Sequence, residues 1–114
     1  MKLLLKNHKA KLLANHLATR DADGADLKHK PVVKFFGGGA CTWLFSEMDE
    51  DGYMFGLCDL GFGTPEMGYV DFAELAAIRF PPFNLPIERD MHWTADKTLT
   101  EYADEARGLG RIAA

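Results

Sequence analysis

The sequence predicts an α+β fold. An antiparallel sheet of about four to five strands carries an N-terminal helix, a short middle helix and a C-terminal helix. Three observations predict it. Leu4, Leu5, His8, Leu12 and Leu13 recur at helical spacing near the start. β-Branched and aromatic runs are broken by Gly37-Gly38-Gly39 and by Asp49-Glu50-Asp51-Gly52, which suit hairpin turns. Two capping-box patterns, Asp71 to Glu74 and Thr98 to Glu101, each open a helical pattern. The 114 residues are read as a single domain, residues 1–114, large enough for one hydrophobic core.

The elements follow in order. Residues 2–19 form a basic amphipathic helix (the 1–19 segment), with Lys2, Lys6, Lys9 and Lys11 opposite the leucines. Residues 20–31 are polar, end in Pro31 and read as a loop. Its Asp21, Asp23 and Asp26 lack the later bidentate Glu of a calcium loop. Val32 to Phe36 is a strand, and the three glycines after it turn the chain. Residues 40–47 and 53–60 pair as a second hairpin, whose register sets Cys41 across from Cys58 or Asp59. Residues 61–69 are a glycine-punctuated loop. A short helix spans roughly 72–79 and stops before Pro81-Pro82. Residues 86–93 alternate as a strand, and a C-terminal helix covers about 99–107, with Gly108 and Gly110 as stop signals.

Charge is the most unusual property. No Lys or Arg lies between Lys34 and Arg79, a stretch that holds Glu47, Asp49, Glu50, Asp51, Asp59, Glu66, Asp71 and Glu74. Residues 1–34 hold eight basic and three acidic side chains, net +5. The remainder holds five basic and fourteen acidic ones, net −9, which gives the formal charge of −4. A concentrated negative field attracts cationic partners and repels nucleic acid. Internal pairing of the basic helix with the acidic sheet is the other reading.

Asp71 and Glu74 have a capping job, so they drop out as binding candidates. Asp59 and Glu66 flank the glycine loop and are the preferred binding residues, with Asp49, Glu50 and Asp51 at the hairpin tip as an extension. Glu88, Asp90 and His92 share one face of the 86–93 strand and carry general acid/base residue types. The same alternation arises on any exposed polar strand face. No metal site is expected, since no Cys-x-x-Cys occurs and no His lies near either cysteine. No cofactor is expected. The opening run has only three leucines, interrupted by Lys6, Lys9 and Lys11, whereas a secretory segment needs about 7–15 apolar residues. A cytoplasmic chain with two free thiols and no membrane partner is therefore expected.

Three segments together resemble a known family. They are Phe55 to Val70 (FGLCDLGFGTPEMGYV), Leu85 to His92 (LPIERDMH) and Thr98 to Arg107 (TLTEYADEAR). They resemble, in content and order, the domain of unknown function numbered 2958 in its series, a family of short bacterial proteins of plasmids and mobile elements. The resemblance covers roughly residues 31–112, with a family-like core at 32–112, and brings no catalytic residues with it. The resemblance supplies that setting and no mechanism; with the Lys- and Arg-free acidic stretch it leads to the expectation of a small, non-enzymatic interaction protein whose acidic surface binds a basic site on a nucleic-acid-handling protein, as anti-defence proteins do. Two alternatives stand beside it. One is a small hydrolase-like enzyme using Glu88, Asp90 and His92. The other is nucleic-acid binding through Lys2, Lys6, Lys9 and Lys11, which the acidic remainder disfavours by repelling the duplex.

Overall fold

The computed structural model describes residues 2–114; Met1 lies outside the described residues. Ten elements follow one another. They are α1 (Lys6–Asp21), β1 (Val33–Gly37), β2 (Cys41–Met48), β3 (Tyr53–Asp59), β4 (Glu66–Asp71), α2 (Phe72–Ala77), β5 (Arg79–Phe80), β6 (Leu85–Pro86), β7 (Glu88–Arg89) and α3 (Leu99–Leu109). Five strands form an antiparallel sheet in the order β4-β3-β2-β1-β7, and β5 and β6 pair apart from it. The expected α+β class, with its N-terminal, middle and C-terminal helices, is what forms.

Strand β2 is central and apolar on both sides. Trp43 and Phe45 join Phe35, Met54, Leu75, Ile87 and the α1 residue Leu12 in one buried cluster. Leu44 points the other way and joins Leu57 with Leu99, Tyr102, Ala103 and Ala106 of α3. Helices therefore cover both faces, and period-two alternation along β2 divides the two cores. Burying a large apolar side chain contributes about 1.5–3 kcal/mol. That gain accounts for a strand buried at four consecutive positions, of which Trp43, Leu44 and Phe45 are apolar and Ser46 is polar.

The alternation has one interruption. Phe45 faces Gly56 but Glu47 faces Phe55, so Ser46 is an extra residue in β2, a β-bulge. A bulge leaves backbone groups unpaired. Here the Asn15 side chain donates to the Ser46 carbonyl at 2.9 Å, which fixes α1 to the sheet. The bulge also turns Glu47 to the opposite side. Plain alternation would set residue 47 beside Phe45, in the cluster with Leu12; after the bulge it lies with Phe55, on the face of α3.

Several expected boundaries move. The N-terminal helix starts at Lys6, not at residue 2. Leu4 enters the core as extended chain, Leu5 is exposed, and the His8 ring accepts from the Leu5 N–H at 3.1 Å. His8 thus caps the helix instead of lining its apolar face. Burial, with Arg89 beside it, holds the His8 pKa below its usual value, so the ring is the neutral acceptor this bond requires. The expected loop at 61–69 ends in strand β4, a sheet edge. Only Glu88 and Arg89 of the expected 86–93 strand pair with β1, and Met91 and His92 form a turn. In α3, Thr98 and Glu101 make the expected reciprocal cap, at 3.2 and 3.0 Å. Gly108 lies inside that helix, and Gly110, with φ 74°, ends it.

The cysteine register also shifts. Thr42 faces Asp59 and Trp43 faces Cys58. The pairing starts at Met48 and Met54, and the bulge moves it by one residue, so Cys41 comes level with Leu60 and not with Cys58 or Asp59. Cys41 reaches the Leu60 carbonyl instead, and both cysteines are free.

Candidate functional site

The acidic residues singled out in the sequence do not form one surface. Asp59 is buried, and both of its carboxylate oxygens accept backbone N–H groups, from Gly61 and from Ile112, each at 2.9 Å. It closes the loop after β3 and fixes the chain after α3, so it has no lone surface for a partner. Asp49 accepts from the N–H of Asp51 and of Tyr53, which shapes the hairpin tip. Glu50 stands 3.8 Å from Arg20, an exposed pair of little energetic weight. Asp51 and Glu66 are exposed, Glu66 on the edge strand opposite Cys58. Asp71 caps α2 through Ala73, the role its sequence pattern gave it.

Glu88, Asp90 and His92 do not converge. Glu88 lines a cavity of about 440 Å³ with Leu3, Phe72, Ala76 and Arg79. Asp90 turns to Lys34, 3.8 Å away. His92 is exposed and lines neither described cavity. The strand that was to align them ends too early, so the hydrolase reading loses its site. Lys2, Lys6, Lys9 and Lys11 are exposed, and Lys6, Lys9 and Lys11 make no ion pair among the described residues. The basic helix docks through Leu12 and Asn15 and leaves these lysines in solvent, though not on one face as expected.

A different constellation forms where the end of α1, the 24–29 loop and the start of α3 meet the sheet. They enclose a cleft of about 300 Å³. Its floor is the row Glu47, Phe55 and Tyr69, direct neighbours across β2, β3 and β4. The Phe55 and Tyr69 rings lie 4.9 Å apart at 50°. Tyr69 is 73% exposed and Met67 lines the same cleft. The walls carry Thr19, Asp26, His29 and Thr100. Among the described residues, neither Lys nor Arg lines the cleft.

The polar groups are tied together. Thr19 Oγ1 donates to Glu47 Oε2 at 3.2 Å and lies 3.0 Å from His29 Nε2. A hydroxyl has one proton, so with that proton on Glu47 the His29 nitrogen is the donor. Glu47 Oε1 is 3.9 Å from His16 Nδ1, too long for a hydrogen bond, and so keeps acceptor capacity. Asp26 accepts from the Lys28 N–H and from the Thr100 hydroxyl. These two bonds, the backbone one foremost, hold its pKa below the ordinary carboxylate value, so it stays ionised in mildly acidic solution. The cleft therefore combines two carboxylates with an aromatic floor. Among the described residues, no group of three His, Cys, Asp or Glu is placed to hold a metal ion.

A family model described as a protein of unknown function, DUF2958, matches residues 3–113. The chain belongs to the DUF2958 family. The match takes in the basic helix as well as the core, a wider span than the resemblance of residues 31–112 implied. Neither the comparison with curated proteins nor that with solved structures gives a match.

In this DUF2958 protein the cleft residues escaped sequence reasoning for separate reasons. Glu47 stood among the acidic stretch but was not singled out, because the bulge that aims it carries no local signal. Thr19, Asp26 and His29 fell in segments read as helix end and loop. Tyr69 fell in the segment read as loop, where edge strand β4 actually runs.

The thiols of the DUF2958 chain offer a check on the sheet interior. Burial, with Glu66 nearby, pushes the Cys58 pKa up to about 11. At pH 8 about one Cys58 in a thousand is then thiolate, the reactive form. Mass spectrometry after iodoacetamide treatment at that pH is expected to find Cys58 almost unmodified in the folded protein and fully modified in urea. Rapid labelling of the folded form would show that β3 is open to solvent.

No helix among the described residues is long and apolar enough to cross a membrane.

Proposed function

We propose that this protein is a non-enzymatic interaction module of bacterial mobile elements. Its acidic cleft receives a basic segment of a protein partner. The partner fits the class of nucleic-acid-handling proteins, whose phosphate-binding grooves supply such segments, and the effect would be anti-defence in type. The reading is supported above all by one observation. The cleft holds Glu47 and Asp26 beside the Phe55 and Tyr69 rings, of which Tyr69 is exposed, and no Lys or Arg lines it among the described residues. An acidic concavity with low-dielectric walls concentrates its field on a cationic ligand.

The reading moves the binding site from Asp59 and the loop to Glu47 and Asp26. Asp51 and Glu66 remain as outlying charge that would steer the encounter without setting its strength. A second reading has its own observation. Lys6, Lys9 and Lys11 of α1 are exposed and in no ion pair among the described residues, which suits contact with a phosphate backbone.

The experiment is an amide NMR titration with a short peptide of mixed Lys and Arg, at about 20 mM and about 500 mM salt. Expected are shifts at Glu47, Phe55 and Tyr69 that weaken at high salt, and a clear loss of affinity in Glu47→Gln. Shifts spread over the whole acidic surface, or none, would sink the cleft as the site. A duplex DNA probe in the same series tests the exposed lysines, a reading that predicts shifts along Lys6 to Lys11.

A further inference from the structure

The cleft discriminates between cations by its shape. Its floor runs from a carboxylate to two aromatic rings in one line: Glu47 faces Phe55, and Phe55 faces Tyr69. Directly paired positions in neighbouring antiparallel strands stand roughly 5 Å apart, so the three side chains form a track longer than an ammonium group. The rings are tilted by 50° at 4.9 Å, and Tyr69 keeps most of its surface open. An open ring face binds a cation within about 6 Å of its centre.

The acceptors are spread in the same way. Glu47 Oε2 already takes the Thr19 hydroxyl, which holds the carboxylate in place, and Oε1 is left for a ligand. Asp26 is held by Lys28 N–H and Thr100 across the opening. Neither carboxylate can swing to wrap a point charge without losing those bonds. A flat group with donors on several edges meets such fixed acceptors better than a compact one. A guanidinium also sheds its water more readily than an ammonium and stacks on aromatic faces.

We infer that the cleft is an arginine subsite, in which one guanidinium lies over the Phe55–Tyr69 pair with its donors on Glu47. The inference rests on the reading of the cleft as a site for a basic partner, and it names the residue that such a partner must present. Lysine enters the same cleft and gains the charge and a ring contact, but not the planar stacking or the spread of donors. Thr19 is a positioning residue, since it orients the Glu47 carboxylate and does not reach the ligand.

The test compares an arginine hexapeptide with a lysine hexapeptide of equal charge, by calorimetry at fixed low salt. The arginine peptide is expected to bind about tenfold tighter, because stacking and multidentate hydrogen bonds add to an equal Coulomb attraction. Tyr69→Ala is expected to bring the two affinities together, and Tyr69→Phe to keep the preference. Tyr69 is exposed on an edge strand, so the amide spectrum of the variants should remain that of the folded chain.

Equal affinity of the two peptides for the wild type overturns the arginine subsite and leaves the basic-partner reading standing. Absence of binding by both overturns both. An arginine preference that survives Tyr69→Ala overturns the placement over the rings.

Discussion

Gly56→Ala is expected to destabilise the protein at or above the upper end of the range of about 1–3 kcal/mol typical for overpacking. A Cβ at this position would stand 2.0 Å from the Leu44 carbonyl oxygen and 2.8 Å from Phe45 Cα. Both are backbone atoms of the central strand, so no side chain can rotate away to make room. Either β2 and β3 separate or the bulge beside them shifts. Each alternative disturbs the fully buried residues Phe45 and Leu44. The control is Gly68→Ala. Gly68 faces Gly56 across β3 and β4, yet a Cβ there meets nothing within 4 Å. That substitution is expected to be neutral or to stabilise by about 0.4–1 kcal/mol, because alanine narrows the unfolded ensemble. Urea unfolding of the two variants measures the contrast. Equal midpoints would show that β2 and β3 do not approach as closely as described.

Asp59→Ala is expected to cost about 3 kcal/mol, from the loss of two hydrogen bonds to a charged acceptor at about 1.5–3 kcal/mol each, partly offset by removal of the buried charge. The buried carboxylate accepts from Gly61 in the loop after β3 and from Ile112 beyond α3. Ile112 belongs to the core cluster formed by α3 on Leu44 and Leu57. Removing the carboxylate leaves the buried Ile112 N–H without its acceptor and loosens the last turn of chain against the sheet. Asp59→Asn keeps one acceptor oxygen and should cost less. Urea midpoints give the energy, and amide exchange at Ile112 gives the place. A substitution that left both unchanged but weakened peptide binding would return Asp59 to the surface role its sequence position suggests. With the structure as it stands, peptide binding by Asp59→Asn should match that of the wild type.

The contrast between these residues explains what the sequence discloses. The helix caps at Asp71 and Thr98 were legible because each involves groups within three residues, although the reciprocal bond forms only at Thr98, with Glu101, and not from Glu74. The hairpin at Asp49 was legible for the same reason, since its carboxylate bonds N–H groups two and four residues on. The start of α1 was not legible, because Leu4 is drawn off the helical stripe by a core that includes Ile87. β4 was masked by Gly68 and by Met67 and Tyr69, which as exposed apolar residues at an edge do not show the usual alternation. Asp59 was flagged for its glycine neighbours, one of which, Gly61, it does hold, while its other partner is 53 residues away. The cleft was the least legible feature. Its residues lie on α1, on a loop, on three strands and on α3, and each looks ordinary where it stands.

The bulge at Ser46 has a consequence for how chains of this kind are to be compared. It makes the regularity of the strand, not its length, the switch between storing a carboxylate and displaying it. If the same residues ran through β2 without the bulge, the side chain at position 47 would enter the Leu12 cluster, and a charge there would be intolerable. Removing Ser46 outright would leave Glu47 opposite Phe55 on the cleft side, with loss of the carbonyl that holds Asn15. Relatives with this hairpin one residue shorter are therefore expected to keep a group aimed at the cleft and to lose this tie between α1 and the sheet.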